Sequence, residues 1–317
     1  MQPGTGMKLF QSMVATISRS PKLSVLLVAY NMERELPRTL HSLSPRYQQK
    51  VHENDYEVIV VDNGSSPPVD RGLVQSYGKQ FKHYRLSHAP PSPVSAINLA
   101  ARRARGRFVC IMIDGARMLS PGAIHHILAA TRLHPRPIII TPSFHLGPDV
   151  QKESVKQGYS QTVEDDLLRK IKWEQNGYRL LEVSSFASSA RYGLFRTPAE
   201  SNCLTLSRKI FLQIGGCDER FDLPGGGLAN HDLLARVCEV DRAGVIVILG
   251  EGNFHQLHGG IATNADADNW KSYAEQYRQI RGKAYQNPTR QPDYFSGHLP
   301  PELNHSLQLS MEFFPPP

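Results

Sequence analysis

The chain has 317 residues, of which 40% are hydrophobic and 21% charged, an ordinary composition for a globular protein of one large domain or two smaller ones. No apolar run reaches the ~18 residues of a membrane span and no signal peptide is visible, so we expect no membrane-spanning segment. The formal net charge of +7 indicates an anionic partner of one of three kinds: nucleic acid, an anionic membrane surface, or a phosphate-bearing substrate.

Three local features bear on those partners. The arginines at positions 102, 103, 105 and 107 have no aromatic residues between them and end a predicted helix, where cations are favoured. We therefore expect no nucleic-acid partner. Four cysteines without a CxxC pair indicate reduced thiols in a cytoplasmic protein. Apolar residues at helical spacing in segment 1–20 indicate a helix that either contacts the inner face of a membrane or packs on its own domain.

Apolar runs alternate with helical periodicity through the first 150 residues, which predicts an α/β fold with a doubly wound, mostly parallel sheet. The alternation stops near residue 151, and a Pro-bearing tail that we expect to be extended follows the last helix. The dinucleotide fingerprint GxGxxG is absent after the first strand. The predicted strands are 22–30, 56–62, 81–86, 107–114, 137–141, 202–207 and 245–249. The predicted helices are 33–47, 69–77, 93–105, 122–133, 162–175, 208–214, 228–243 and 269–281.

The fourth predicted strand, residues 107–114, ends on the carboxylate of Asp114. The carboxyl end of a buried parallel strand is where open α/β sheets bind their ligands. A carboxylate that caps a turn or a helix is the alternative interpretation of this residue.

Six motifs, in order along residues 23–260, resemble those of the family 2 inverting glycosyltransferases of the GT-A fold. The motifs are Val28-Ala29-Tyr30-Asn31-x-Glu33, Val60-Val61-Asp62-Asn63-Gly64-Ser65, Ser95-Ala96-Ile97-Asn98-Leu99-Ala100, Ala104-x-Gly106, Gly215-Gly216-Cys217-Asp218-Glu219-x-Phe221 and Asn230-His231-Asp232.

The resemblance implies a single nucleotide-sugar-binding GT-A domain at 21–262, with a nucleotide-binding half at 21–150 and an acceptor half at 151–262. A C-terminal helical extension and the Pro-bearing tail would follow at 263–317. The implied function is transfer of a sugar, with inversion, from a nucleotide-diphosphate donor to a hydroxyl acceptor in polysaccharide biosynthesis. A UDP-sugar is the favoured donor, and a glycan or lipid-linked molecule is the expected acceptor. The alternative is a degenerate, non-catalytic GT-A protein that binds a nucleotide or a partner enzyme.

The resemblance also places the donor nucleotide at the ends of the first two strands. It makes Asp62 the carboxylate that hydrogen-bonds the nucleobase, next to a pocket made by Ala29 and Tyr30. Capping of the following turn is the alternative role of Asp62. Glu33 and Asn98 are further candidates for the donor site, and each could instead close a helix end.

The family's central strand usually ends in an Asp-x-Asp metal motif, but here Ala116 replaces the second carboxylate after Asp114. The resemblance implies a divalent cation, manganese or magnesium, held by Asp114 and by a late histidine, His258 or His255. Arg117 is the alternative, because a guanidinium can neutralise a diphosphate in place of a cation.

Asp232 is the candidate catalytic base. The resemblance places a catalytic carboxylate in this motif, and the first turn of the predicted helix favours the charged form of an acid. An ion pair with Arg236, four residues on, is the alternative role of Asp232. Candidate residues for stacking on a sugar acceptor are Trp173, Phe186 and Tyr192.

Overall fold

Two β-sheets carry the fold of the described chain, residues 20–259 and 267–313 of this computed structural model. The predicted N-terminal helix falls within residues 1–19, outside the described residues. In chain order the strands are β1 Leu23–Ala29, β2 Tyr56–Asp62, β3 Phe81–Arg85, β4 Phe108–Met112, β5 Arg117–Leu119, β6 Pro137–Ile140, β7 Ser143–Leu146, β8 Ser184–Phe186, β9 Leu204–Ser207, β10 Gly244–Leu249, β11 Asn253–His255 and β12 Tyr294–Gly297. The α-helices are α1 Leu36–Ser42, α2 Arg71–Ser76, α3 Val94–Arg103, α4 Ala123–Ala130, α5 Gln151–Lys156, α6 Gln161–Ile171, α7 Arg208–Gln213, α8 Ala229–Cys238, α9 Ala267–Arg281 and α10 Asn304–Met311.

The larger sheet has eight strands in the order β12-β10-β6-β9-β4-β1-β2-β3. Its neighbouring strands run parallel, except that β9 is antiparallel to both β4 and β6. The strands β1, β2 and β4 are buried along their whole length, as apolar strands covered on both faces should be. The predicted fold class, an α/β GT-A fold with a mostly parallel sheet, is therefore confirmed.

Helices cover both faces of this sheet. Along β1, Leu26 and Val28 face one apolar cluster that includes residues of α3 and α8. The intervening residues Val25 and Leu27 face a second cluster that includes residues of α1 and α4. The alternation follows from the two-residue repeat of a strand, and it gives the molecule two apolar layers that hold the sheet rigid.

The smaller sheet has four strands in the order β5-β11-β7-β8, and the sequence did not predict it. Each of its strands is only three or four residues long, too short to show a periodicity. Its register places Arg117 opposite His255, His255 beside His145, and His145 opposite Ser185. Residues paired in this way lie on one face of a sheet, so a single row of polar side chains crosses it.

Several predicted element ends move in the structure. The strand expected at 107–114 ends at Met112, so Asp114 lies two residues beyond it. The tail, expected to be extended, instead contains β12, which pairs with β10, and helix α10. All four cysteines are buried and free. Within residues 20–259 and 267–313, none of the helices has the length and apolar character to cross a bilayer.

Gly106 connects α3 to β4 at a point where the chain passes directly against β1. A Cβ atom at this position would lie 2.7 Å from the backbone nitrogen of Ser24. We expect Gly106→Ala to lower the free energy of unfolding by about 1–3 kcal/mol, because strand backbone must shift to accommodate the methyl group. Urea denaturation measures this change. The matched control is Gly259→Ala, where nothing lies within 4 Å of the added Cβ. Equal stability of the two variants would contradict the prediction.

Candidate active site

A cleft of about 670 Å³ opens at the carboxyl ends of β1, β2 and β4. Tyr30, Asn63 and Asp114 line it from the larger sheet, and Arg117 and His145 line it from the smaller sheet. The opposite wall comes from the segment after β8, from the start of α8 and from α9. The position agrees with the rule that α/β sheets bind ligands at the carboxyl ends of their strands.

One carboxylate and two imidazoles meet in this cleft. The ligand atoms of Asp114, His255 and His258 all lie within 4.8 Å of one another. Nε2 of His255 is 3.0 Å from Nε2 of His258 and 3.7 Å from Oδ2 of Asp114. The structure thus brings together three residues that the sequence separates by up to 144 positions.

Arg117 holds the carboxylate of this cluster in place through hydrogen bonds. Its Nε donates to Oδ2 of Asp114 at 3.0 Å, and its Nη1 donates to Oδ1 of Asn253 at 3.2 Å. Asp114 also accepts a hydrogen bond from the backbone nitrogen of Ala116 through Oδ1, at 3.0 Å. Because Arg117 is only 5% exposed and bonded to two side chains, it positions Asp114 in addition to lining the cleft.

The donor set fits a divalent cation. Burial, reinforced by the positive charge of Arg117, holds the pKa of His255 well below its usual range, and burial lowers the pKa of His145 beside it to about 4. His255 is therefore a neutral imidazole with a lone pair available for a metal. Its Nδ1 is buried without a hydrogen-bond partner in the described chain. Two imidazole nitrogens and a carboxylate oxygen suit a transition-metal dication such as Mn²⁺ better than Mg²⁺.

The predicted donor-site residues divide into two groups. Tyr30, which is 55% exposed, lines the cleft, and so do Asp114 and Arg117. Ala29 is completely buried inside β1, and Glu33 points to solvent outside the cleft lining.

Asp62 has the turn-capping geometry that the sequence left as its alternative role. Its Oδ1 accepts from the backbone nitrogen of Ser65 at 2.8 Å, and its Oδ2 accepts from that of Val69 at 3.1 Å. Nη1 of Arg85 lies 3.3 Å from Oδ2. The carboxylate is fully buried and does not line the cleft, whereas its neighbour Asn63 does.

Asn98 also does not line the cleft, and its side chain instead hydrogen-bonds to the Cys217–Glu219 segment. Its side-chain amide donates to the carbonyl of Cys217 at 2.8 Å and to Glu219 at 2.9 Å, and its Oδ1 accepts from the nitrogen of Cys217 at 3.0 Å. A Cβ at Gly216, whose φ is +68°, would lie 2.7 Å from that Oδ1. Asn98 thus fastens α3 to the Gly215-Gly216 turn.

Asp232, the candidate catalytic base, is buried and paired with two arginines. Its carboxylate is 1% exposed and lies outside the cleft lining. Nε of Arg236 donates to it at 2.7 Å, and Arg281 donates through Nε at 2.5 Å and Nη2 at 2.8 Å. Two guanidinium groups therefore occupy both oxygens of this carboxylate. The predicted alternative, an ion pair with Arg236, is therefore the one that the contacts fit.

The residue before it occupies the cleft instead. His231 lines the cleft in the first turn of α8, together with Asn230. Its Nδ1 lies 3.5 Å from Oε2 of Glu200, which also lines the cleft. The positive-φ backbone of the Gly225–Gly227 segment, at +73°, +82° and +50°, brings this helix start against the cleft. Sequence gave no signal for Glu200, because it stands alone in a loop.

The predicted stacking aromatics lie elsewhere. Trp173 packs in the core against His41 and Tyr47, and Phe186 stacks on Phe144 with ring centres 5.0 Å apart. Tyr192 is exposed and meets Phe313 edge to face. The aromatic side chains that line the α9 wall of the cleft are Trp270 and Tyr273.

Comparison with known proteins gives two findings. The sequence model described as "Glycosyl transferase family 2" matches residues 24–182. Among solved structures, the fold is similar to that of S. aureus TarS 1–349 in complex with UDP, with 14% identity and a TM-score of 0.53 over 92% of this chain and 70% of that one. The complex of TarS 1–349 with UDP-GlcNAc gives 15% identity and a TM-score of 0.51, over 92% and 71%. The longer S. aureus TarS structure has 14% sequence identity to this chain and a TM-score of 0.53, over 92% of this chain and 42% of that one. Identities this low show a common fold alone. No curated protein matches the chain.

Removal of the charge at Asp232 tests its structural role. We expect Asp232→Asn to lower the free energy of unfolding by about 3–5 kcal/mol, because two partly buried arginines lose their carboxylate. The matched control is Asp166→Asn, whose ion pair with Arg169 is exposed on both sides. That variant should change stability by less than about 0.5 kcal/mol. Chemical denaturation of both variants makes the comparison, and an Asp232→Asn variant as stable as the control would contradict the assignment.

Proposed function

This chain belongs to glycosyl transferase family 2, and from that premise we propose that it transfers a sugar from a UDP-sugar to a hydroxyl acceptor, with inversion at the anomeric carbon. The family membership makes it a glycosyltransferase. The observation that carries the proposal is the cluster of Asp114, His255 and His258 at the floor of the cleft. The S. aureus TarS structures that share this fold contain UDP and UDP-GlcNAc, which supports a uridine diphosphate donor.

The cleft offers separate walls for the two ends of such a donor. Tyr30 and Asn63, at the ends of β1 and β2, provide an exposed ring and an amide for the nucleobase. Arg117 and Lys152 line the same cleft and bring positive charge to the diphosphate. Asp114, His255 and His258 would hold a divalent cation, which supplies further positive charge to the leaving diphosphate.

The acceptor would enter from the side of α8 and α9. Trp270 and Tyr273 give this wall the aromatic surface on which sugar rings pack. The acceptor class that fits is a glycan or a lipid-linked sugar, in polysaccharide biosynthesis.

We assign the base to His231. When the acceptor hydroxyl oxygen bonds to the anomeric carbon, its proton passes to Nε2 of His231 and the bond from carbon to the diphosphate oxygen breaks. The diphosphate leaves with the bonding electrons. Oε2 of Glu200 lies 3.5 Å from Nδ1, close enough to attract the positive charge that the ring gains with the proton. Attack opposite the leaving group inverts the configuration.

The substitution His231→Gln tests this assignment. We expect the rate of UDP release from a panel of UDP-sugars to fall by about 10²–10⁴-fold, because one general base is lost. The dissociation constant of UDP, measured by calorimetry, should stay within about threefold. His305→Gln, an exposed histidine on α10, is the control and should keep full activity. Full turnover by the His231→Gln variant would show that the base is another residue. If the wild type binds UDP but turns over none of the donors, the alternative of a degenerate, non-catalytic protein is favoured.

Metal removal gives an independent test of the cluster. We expect Mn²⁺ to tighten UDP binding to the wild-type chain at least tenfold relative to chelator-treated protein, because a cation held by Asp114, His255 and His258 would add positive charge beside the diphosphate. His258→Ala should lose most of this enhancement, whereas His305→Ala should keep it. If UDP binds the chelated protein as tightly as it binds the manganese-loaded one, Arg117 replaces the cation.

A further inference from the structure

A second cluster of metal-binding residue types lies outside the cleft lining. The ligand atoms of His126, Glu251 and His298 all lie within 4.8 Å of one another. His126 belongs to α4, Glu251 lies between β10 and β11, and His298 directly follows β12. The two imidazole rings stack with centres 5.0 Å apart, over the same carboxylate. The glycosyl transfer chemistry proposed above uses none of these residues.

The carboxylate at the centre of this cluster is fully buried. Oε2 of Glu251 accepts from Oγ of Ser120 at 2.5 Å and from the backbone nitrogen of Gly122 at 3.1 Å. Oε1 accepts from Oη of Tyr178 at 2.9 Å. Among the described residues, the imidazoles of His126 and His298 lie within 4 Å of it, and neither arginine nor lysine does. A buried carboxylate is costly without a cationic partner, and burial accordingly raises the pKa of Glu251 to about 7.

Three glycines let the chain close around this carboxylate. A Cβ at Gly122 would lie 2.3 Å from Oε1 of Glu251. A Cβ at Gly250 would lie 2.1 Å from the carbonyl oxygen of His298, and one at Gly297 would lie 2.0 Å from that of Leu249. The end of β12 is therefore held against the end of β10, which delivers His298 to the cluster.

We propose that His126, Glu251 and His298 bind a divalent transition-metal ion of the zinc class, which ties the C-terminal tail to the catalytic domain. Nε2 of His126 lies 3.7 Å from Oε1 of Glu251, and Nδ1 of His298 lies 3.5 Å from the same oxygen. Ligands at 2.0–2.1 Å around tetrahedral zinc are about 3.3 Å apart, so the two distances to Oε1 of Glu251 need only a small contraction.

The surroundings of the three ligands fit this ion. Nδ1 of His298 is buried and has no hydrogen-bond partner among the described residues. Burial lowers the pKa of His126 to about 4 and lowers that of His298, so both rings are neutral and can donate lone pairs. The hydrogen bonds from Ser120 and Tyr178 orient the carboxylate, as groups around a metal site usually do.

Zinc binding to the metal-free full-length chain tests the proposal. We expect His298→Ala to bind one equivalent fewer than the wild type, in competition with a chromophoric chelator. His126→Gln, which changes a different element, should lose the same equivalent. His305→Ala is the matched control in the tail and should keep the wild-type stoichiometry. Circular dichroism verifies that each variant is folded.

Two further measurements distinguish metal binding at this site from metal binding in the cleft. Added zinc should raise the Tm of the wild type and of His258→Ala, but not that of His298→Ala. Co²⁺ should give the visible absorption of tetrahedral cobalt in His258→Ala and lose it in the double variant His258→Ala/His298→Ala. Equal zinc stoichiometry in the wild type, His126→Gln and His298→Ala would overturn the proposal, and the cluster would then be a hydrogen-bonded contact only.

Discussion

The contact between Arg117 and Asp114 is the interaction on which the site depends. Asp114 lies two residues beyond the end of β4 in the larger sheet. Arg117, three residues later, is the first residue of β5 in the smaller sheet. A 3.0 Å hydrogen bond joins the two residues where the two sheets meet. Because His255 lies opposite Arg117 in the register, the same contact sets the distance from the carboxylate to the imidazoles. The cleft and the cluster of Asp114, His255 and His258 both lie at this junction.

A second charged network supports the opposite wall. Arg281, near the end of α9, binds Asp232 of α8 and approaches Asp218 to 2.8 Å, while Arg236 donates to the carbonyl oxygens of Ile214 and Gly216. These contacts join two helices and the glycine turn. They hold the start of α8 and the inner face of α9 against the cleft, where His231 and Trp270 lie. The network therefore positions this wall of the cleft, and it explains why Asp232 is buried and hydrogen-bonded through both oxygens.

Much of the fold could be predicted from the sequence, because long apolar strands and periodic helices carry their own signals. The strand at 56–62 has the predicted bounds, and the GT-A fold class is confirmed. The smaller sheet could not be predicted, since strands of three or four residues depend on partners far along the chain. The site was predictable in part: Asp114 and His258 do meet, but spacing alone could not tell whether His231 or Asp232 faces the cleft. Adjacent residues on a helix point about 100° apart, and only packing against α9 decides between them.

The most direct test of the account is a crystal structure of the chain with UDP and Mn²⁺. The account predicts one manganese ion bound by Asp114, His255 and His258, with the diphosphate on that ion, the uracil ring beside Tyr30, and His231 facing the open side of the cleft. A diphosphate bound outside this cleft, or a manganese ion with none of these three residues as ligands, would contradict it.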